Sequence, residues 1–332
     1  MLNFCTLFDI NFINQGLAMY KSLLDNCGDF TLYIFAFCDE SYKLLSELNL
    51  KNVKVISLNE LEQGIPDLLK AKPTRTKGEY CWTCACATIL YCLQKFNLEN
   101  CTYIDADLYF FANPKVLINE VENDAILLTE HRYTPCYDQT KTSGKYCVQF
   151  AYFKNNQLGL KALNWWVNSC IEWCFNRCED GKFGDQKYLD DWTTRFEGVH
   201  VLKHLGGGVA PWNVQQYEIY KKNNKLFVKD SLQNVPIVFY HFHDIKAIDG
   251  KLIENEGYVK NKIVKKLLYK PYIQNLIKTS VFLHKKNKKI KVLKQINKPI
   301  LKQLKNIRKS IIKIKFGKNG YLTIFNKEVI KL

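Results

Sequence analysis

The chain has 332 residues, enough for one large domain or for a domain with an appendage, and at 47% hydrophobic residues it can bury a substantial core. No run reaches transmembrane length. The opening Met1-Leu2-Asn3-Phe4-Cys5 lacks a basic region ahead of its apolar residues, which argues against a secretion signal and for a cytoplasmic chain. The net charge of +16 is unevenly spread: residues 257–327 hold 21 Lys and Arg and no Asp or Glu, whereas residues 1–256 hold 26 Lys and Arg against 31 Asp and Glu, a balance of −5. The excess positive charge therefore lies in a C-terminal segment suited to an anionic partner.

The elements are expected in this order. Residues 3–8 read as a strand, 14–24 as a helix with Leu17, Tyr20, Leu23 and Leu24 on one face, and Phe30–Phe37 as a strand buried on both faces. A short helix, Ser41–Leu48, and a third strand, Val53–Leu58, complete a βαβ alternation that predicts a parallel sheet. Pro73 to Tyr80 reads as a loop and Trp82–Phe96 as a helix, apolar nearly all round and so buried. Cys101–Ile104 begins a strand that runs into Asp105-Ala106-Asp107-Leu108-Tyr109-Phe110 and is closed by Asn113-Pro114.

Ala125–Leu128 is a further strand, residues 129–145 are polar and turn-rich and suit a mobile loop, Tyr146–Phe153 is a strand, and Leu158–Phe175 a long helix. Gly184-Asp185-Gln186 reads as a helix start, Gly206 to Asn213 as a flexible turn, and Ile237–His243 as a last strand. Residues 259–316 interleave apolar residues with lysine at roughly helical spacing, which predicts basic amphipathic helices broken at Pro271 and Pro299. Such helices suit an anionic membrane surface, and also suit a cap that buries its apolar face on the core.

The thirteen cysteines read as reduced thiols, mostly core residues. Cys81, Cys84 and Cys86, and Cys170, Cys174 and Cys178, sit in helical sequence without the turns that a zinc knuckle needs.

The chemistry concentrates on a few residues. Asp105 and Asp107, one residue apart on extended backbone, point the same way and repel unless a cation lies between them. Mg²⁺ or Mn²⁺ fits, since these ions take carboxylate oxygens and keep positions open for phosphate. His241 and His243 alternate onto one face of the last strand and offer nitrogen to the same ion; spacing does not choose between them, and His241 is favoured because it follows the apolar run directly. Asp185 is either a helix cap or, with Gln186, a polar pair at a cleft mouth beside a reacting sugar. Trp212-Asn213 suits a sugar face or a packing lid. Arg75 and Lys77 are candidates to neutralise phosphate.

Taken in order, Cys5-Thr6-Leu7-Phe8-Asp9 with Gly16-Leu17-Ala18, Glu79-Tyr80-Cys81-Trp82-Thr83, Tyr103 to Phe110, Gly184-Asp185-Gln186, Ala210-Pro211-Trp212-Asn213 and Tyr240-His241-Phe242-His243 resemble the GT-A-fold nucleotide-diphospho-sugar glycosyltransferases related to glycosyltransferase family 8. The resemblance covers about residues 2–245. It implies a Rossmann-like mixed α/β sheet flanked by helices, taken as residues 1–256, and the charge and spacing of the remainder make residues 257–332 a basic helical appendage. It also implies hexosyl transfer from a nucleotide-sugar donor, most readily a UDP-sugar, with retention favoured over inversion, and the basic tail's fit to an anionic membrane surface points to a bacterial surface glycan or lipid-linked acceptor.

Carried over by position, Thr6, Phe8 and Asp9 would contact base and ribose, and Arg75 would sit near the donor. Asp105, Ala106 and Asp107 would form the donor and metal turn, and His241 with His243 would complete the metal shell around Mn²⁺ or Mg²⁺. Asp185 and Gln186 would lie near the anomeric carbon, and Trp212 and Asn213 at the acceptor. Family members often follow the histidine with Gly and Lys-Pro-Trp; this chain has Asp244-Ile245-Lys246-Ala247, which leaves Lys246 as the candidate for the diphosphate lysine.

Two rival readings carry their own discriminants. A sugar nucleotidyltransferase also uses paired aspartates, but residues 5–16 hold only Gly16 and so no phosphate loop. A degenerate transferase binding lipid or nucleic acid through its basic tail would have no need of intact Asp105, Asp107 and His241, and nucleic acid is the less favoured partner. The expected location is the cytoplasm, with residues 257–327 suited to the inner face of the membrane.

Overall fold

A computed structural model describes residues 1–255 and 257–295, together with the backbone of two short paired strands, Tyr321–Ile324 and Glu328–Lys331. Pro299 and the basic helices expected beyond it lie outside the described residues.

The strands are β1 (Leu2–Phe8), β2 (Phe30–Ala36), β3 (Val53–Ser57), β4 (Asn100–Ile104), β5 (Leu108–Phe110), β6 (Ile126–Glu130), β7 (Tyr146–Lys154), β8 (Val199–Val201), β9 (Glu218–Lys222), β10 (Lys225–Lys229), β11 (Asn234–Pro236), β12 (Phe239–His241), β13 (Ile245–Ile248) and β14 (Lys251–Glu254). The α-helical segments are α1 (Ile13–Asn26), α2 (Asp39–Leu48), α3 (Leu58–Gly64), α4 (Leu68–Ala71), α5 (Lys77–Lys95), α6 (Lys115–Ile118), α7 (Thr140–Ser143), α8 (Gln157–Glu172), α9 (Trp192–Arg195), α10 (Lys262–Val264) and α11 (Lys270–Lys286).

Seven strands form the central sheet in the order β3-β2-β1-β4-β7-β6-β8. Only β7 runs against its neighbours, so the sheet is mixed, and the helices lie on both faces. The order reverses between β1 and β4, and the crevice beyond the carboxyl ends of those two strands is where open α/β sheets bind ligands.

Period-2 alternation sorts the side chains. Cys5 and Leu7 of β1 join Tyr33, Phe35, Tyr103 and Phe153 under α5 and α8, whereas Phe4 and Phe8 join Leu32, Ile34, Ile104 and Phe150 under α1 and α2. Phe8 lies so close to α1 that a Cβ on Gly16 would come within 2.4 Å of its ring, so only glycine fits there. All thirteen cysteines are free thiols; Cys84, Cys86 and Cys170 are buried on α5 and α8, whereas Cys174, also buried, and Cys178, exposed, lie beyond the end of α8 and not in the helix expected for them.

Four local expectations change. Helix α5 starts at Lys77, inside the expected loop, because Thr76 and Glu79 form a reciprocal capping box that satisfies the first free N–H groups. No long helix follows Gly184, whose φ of +52° turns the chain; a single 3₁₀ turn, Lys187–Leu189, stands there instead. Gly206-Gly207-Gly208 is buried rather than a loose turn. A Cβ on Gly206 would meet the Pro236 carbonyl oxygen at 2.0 Å, so these glycines serve close packing. The helical path also continues through Pro271, because a π-turn at Lys265–Tyr269 precedes it and Pro271 falls in the first turn of α11, where its missing N–H is tolerated.

Helix α11 lays Tyr272, Ile273, Leu276 and Leu283 onto the body and carries its lysines outward. The Tyr272 ring stacks on Phe242, centroids 3.8 Å apart, between the two histidines of the last strand. Beside it a fully buried network joins Asp244 to Lys260 and to the Tyr269 hydroxyl, which lies 3.0 Å from that of Tyr240. Burial pushes the Asp244 carboxyl up despite the lysine at its side.

Replacing Tyr272 with Ala is expected to destabilise the chain by about 3–5 kcal/mol, the usual cost of deleting a buried ring. Urea denaturation of the full chain measures it, and an unchanged midpoint would show that α11 does not rest on the body.

Candidate active site

Asp105 and Asp107 lie in a tight turn between β4 and β5, not on extended backbone: the Leu108 N–H returns to the Asp105 carbonyl at 3.2 Å. The strand after that turn decides the rest. β5 pairs antiparallel with β12, matching Phe110 to Phe239, Tyr109 to Tyr240 and Leu108 to His241. A histidine more than 130 residues away in sequence is thereby set against the residue next to Asp107. Two backbone bonds fix it further, from the His241 N–H to the Val209 carbonyl and from the Phe242 N–H to the Asp107 carbonyl, both at 2.9 Å.

His241 Nε2 then lies 3.1 Å from Asp107 Oδ1 and 3.7 Å from Asp105 Oδ2. Asp107, His241 and His243 each present a ligand atom within 4.8 Å of the other two. The two imidazoles stand 5.6 Å apart, and Trp212 meets both edge-on, at 5.2 Å from His241 and 5.8 Å from His243. The carboxylate and imidazole donors, gathered at the sheet's switch point, suit a divalent ion such as Mn²⁺ or Mg²⁺.

Burial sets the charges. Desolvation pushes Asp105 up to about 6, with neighbouring Asp107 adding to the rise and His241 opposing it. At Asp107 burial also pulls upward, but His241 outweighs it and holds the carboxyl below its ordinary value. The reciprocal holds for His241: burial disfavours its charged form, yet Asp107 raises it well above the usual imidazole range. His243, although exposed overall, is lowered by partial desolvation of its ring in the cleft and by the charge on His241. Asp185, 7% exposed, is raised to about 8 by burial and then by Asp105.

These groups line a cleft of about 390 Å³ that includes Trp82, Tyr103, Asp105, His131, Tyr133, Cys147, Asp185, Gln186, Trp212, His241 and His243. Of the residues singled out from the sequence, the fold brings Asp105, Asp107, Asp185, Gln186, Trp212, His241 and His243 together there, with Ala106 buried in the carboxylate turn.

The others stand apart. Thr6 and Phe8 are buried in β1; Asp9, at its end, accepts from the backbone N–H of Asn11 at 2.9 Å. Arg75 donates to the last carbonyls of α8, Ile171 at 3.1 Å and Glu172 at 3.2 Å, and stacks on Phe175. Asn213 is wholly buried, its amide spent on the His131 and Gly208 carbonyls and the Ala210 N–H. Lys246 is exposed on β13 and is not among the cleft residues.

Sequence reasoning missed Gln149, His131, Tyr133 and Cys147. His131 stacks on Tyr133 at 4.6 Å, and burial drives its imidazole down to about 3, so it is neutral. Gln149 left one trace, a lone amide within the apolar run of β7.

No family model matches the chain. In the solved structure of galactosyltransferase LgtC with donor and acceptor sugar analogues, 95% of that chain and 83% of this one superpose with a TM-score of 0.52 at 10% identity. The architecture is that of the GT-A glycosyltransferases: a mixed sheet between helices, with the crevice at the sheet's reversal. In sequence, the chain is 31% identical over 283 residues to the uncharacterized protein YfnD of Bacillus subtilis, spanning 82% of this chain and 88% of YfnD. It is 30% identical over 254 residues to the uncharacterized protein YfnF of the same organism, spanning 74% of this chain and 82% of YfnF. The chain belongs to the family of these two proteins.

Asp185→Asn gives a test of the cleft's electrostatics. A carboxyl raised from 3.8 to about 8 binds its proton more tightly in the folded chain, so folding stability falls as pH rises through that interval. The asparagine variant lacks this penalty. Its stability relative to wild type should rise from about pH 4 to about pH 8 and then level off; urea titrations at a series of pH values measure it, and a gap that does not change with pH would show a solvated Asp185.

Proposed function

We propose that the protein is a metal-dependent glycosyltransferase, related to family 8, which moves a hexosyl group from a nucleotide-diphospho-sugar, most readily a UDP-sugar, to a bacterial surface glycan or a lipid-linked glycan. The observation that carries this reading is the convergence of Asp107, His241 and His243, with Asp105 beside them, at the switch point of a GT-A sheet.

In this reading Asp105, Asp107, His241 and His243 hold Mn²⁺ or Mg²⁺, and a bound divalent ion screens the charge that develops on a departing nucleoside diphosphate. Asp9, at the end of β1, borders the nucleotide in this reading, with Thr6 and Phe8 buried beneath it, and the cleft wall formed by Trp82, Tyr103 and Trp212 excludes water from the sugar. Asp185 enters the cleft with its carboxyl raised to about 8 by burial and by Asp105, a rise that a cation held at Asp105 would reduce. Gln186 is held in place by its bond to the Ser143 carbonyl at 2.7 Å. The likeness to family 8 favours retention, which needs no enzymic base on the far face; inversion would make Asp185 that base.

The same proposal divides the chain into a catalytic unit, 1–256, and a basic appendage, 257–332, that meets the inner face of the membrane from the cytoplasm. Phe282, 45% exposed on α11 with Lys278, Lys285 and Lys286 around it, supports such a contact. Among the described residues no helix is long and apolar enough to cross a membrane.

Calorimetric titration of UDP and GDP, with Mn²⁺ or with EDTA, tests the reading. Mn²⁺-dependent binding of UDP is expected in wild type and should weaken at least about tenfold in Asp107→Ala, as a lost ligand to a shared ion requires. Absence of nucleotide binding under every metal condition would overturn the proposal.

A further inference from the structure

Gln149 is fully buried in the middle of β7, surrounded in sequence by Tyr146, Val148, Phe150 and Phe153. An amide in such a run is unfavourable unless it is used. Two of its groups are. Its main-chain carbonyl accepts the Asp105 N–H at 3.0 Å, holding the turn that carries both aspartates. Its side-chain Oε1 lies 2.9 Å from His241 Nδ1. Among the described residues its Nε2 has no partner. The neighbouring Gly208 has φ +89°, and a Cβ there would sit 2.8 Å from Thr129 Cγ2, so the turn beside the amide requires glycine.

We infer that Gln149 is the positioning residue of the metal site: by accepting the Nδ1–H of His241 it fixes the imidazole with Nε2 turned to Asp107, ready to coordinate. Histidines that bind metals are commonly held in this way through their other nitrogen, often by a carboxylate. Here the acceptor is neutral. A glutamate at this place would set a buried fourth carboxylate beside Asp105, Asp107 and Asp185, whereas an amide orients the ring at no cost in charge. Gln149 thus joins both halves of the site, the aspartate turn through its backbone and the histidine strand through its side chain.

The inference rests on the metal reading proposed above, and its test separates the two. Mn²⁺ affinity of the full chain is measured by electron paramagnetic resonance, and Mg²⁺ affinity by competition, for wild type, Gln149→Met, Gln149→Leu and Gln149→Glu. Methionine and leucine keep the bulk and remove the acceptor; glutamate keeps the acceptor. The first two variants should lose about 10–100-fold in Mn²⁺ affinity. Mg²⁺ affinity should fall less, because imidazole contributes more to a transition ion than to Mg²⁺ while the carboxylates remain. Glutamate should stay within a few-fold of wild type.

Undiminished Mn²⁺ binding in a folded methionine or leucine variant would overturn the role of Gln149 alone. So would an equal loss for both metals, which is the mark of general damage, or a glutamate variant as weak as methionine. A wild-type chain that binds no Mn²⁺ would overturn the metal reading and this inference with it.

Discussion

The pairing of β5 with β12 is the contact on which the rest of the site depends. It closes a loop of well over a hundred residues and sets His241 opposite Leu108, one residue from Asp107. Nothing local could do this. The pairing is held by packing as much as by its ladder: Phe110 meets Phe239 edge-on at 5.8 Å, Phe239 stacks on Phe150 of the central sheet at 5.4 Å, and Tyr272 of α11 lies flat on Phe242. Each ring anchors the histidine strand from a different element. A slip of one residue would turn His241 to the opposite face and replace it with an aromatic ring.

Once those groups meet, burial dictates their charges. Three carboxyls and two imidazoles crowd one cleft, and they cannot all ionise. The outcome is a graded set: Asp107 and His241 charge each other, Asp105 is raised to about 6, Asp185 to about 8, and His131 behind them is held neutral. A cleft in this state presents one firm anion, one firm cation and two carboxyls responsive to a third charge. In the proposed metal-bound state a divalent ion would take over the compensation that the imidazolium supplies.

The C-terminal segment bears on the same site from behind. The apolar face of α11 is spent on the body, against Phe242 and Tyr109, so it cannot also lie on a membrane. What remains outward is lysine with a few exposed apolar residues such as Val281 and Phe282. The basic segment is thus part of the support of the histidine strand over α11, through Tyr272 and through the buried Lys260–Asp244 pair.

Much of the fold was legible in the sequence, because periodicity is local. The alternation in β1, the continuous apolar runs of β2 and β7 and the helical spacing of α5 and α8 follow from which faces must be buried, and the order of the motifs sufficed to name the architecture. Asp105, Asp107, His241, His243, Asp185 and Gln186 stood out because acids, imidazoles and amides at the ends of apolar runs are costly unless used. The boundaries at Thr76, Gly184 and Pro271 were misread, since a capping box, a positive φ and a π-turn each override the pattern around them.

Only the tertiary structure decided that Asn213 is spent on backbone groups, that Arg75 caps a helix, that Gly206 to Gly208 are packed solid, and that Gln149 reaches both halves of the site. A sequence states which groups must be buried or paired. Which partner each one finds across more than a hundred residues depends on sheet register and close packing, and these exist only in three dimensions.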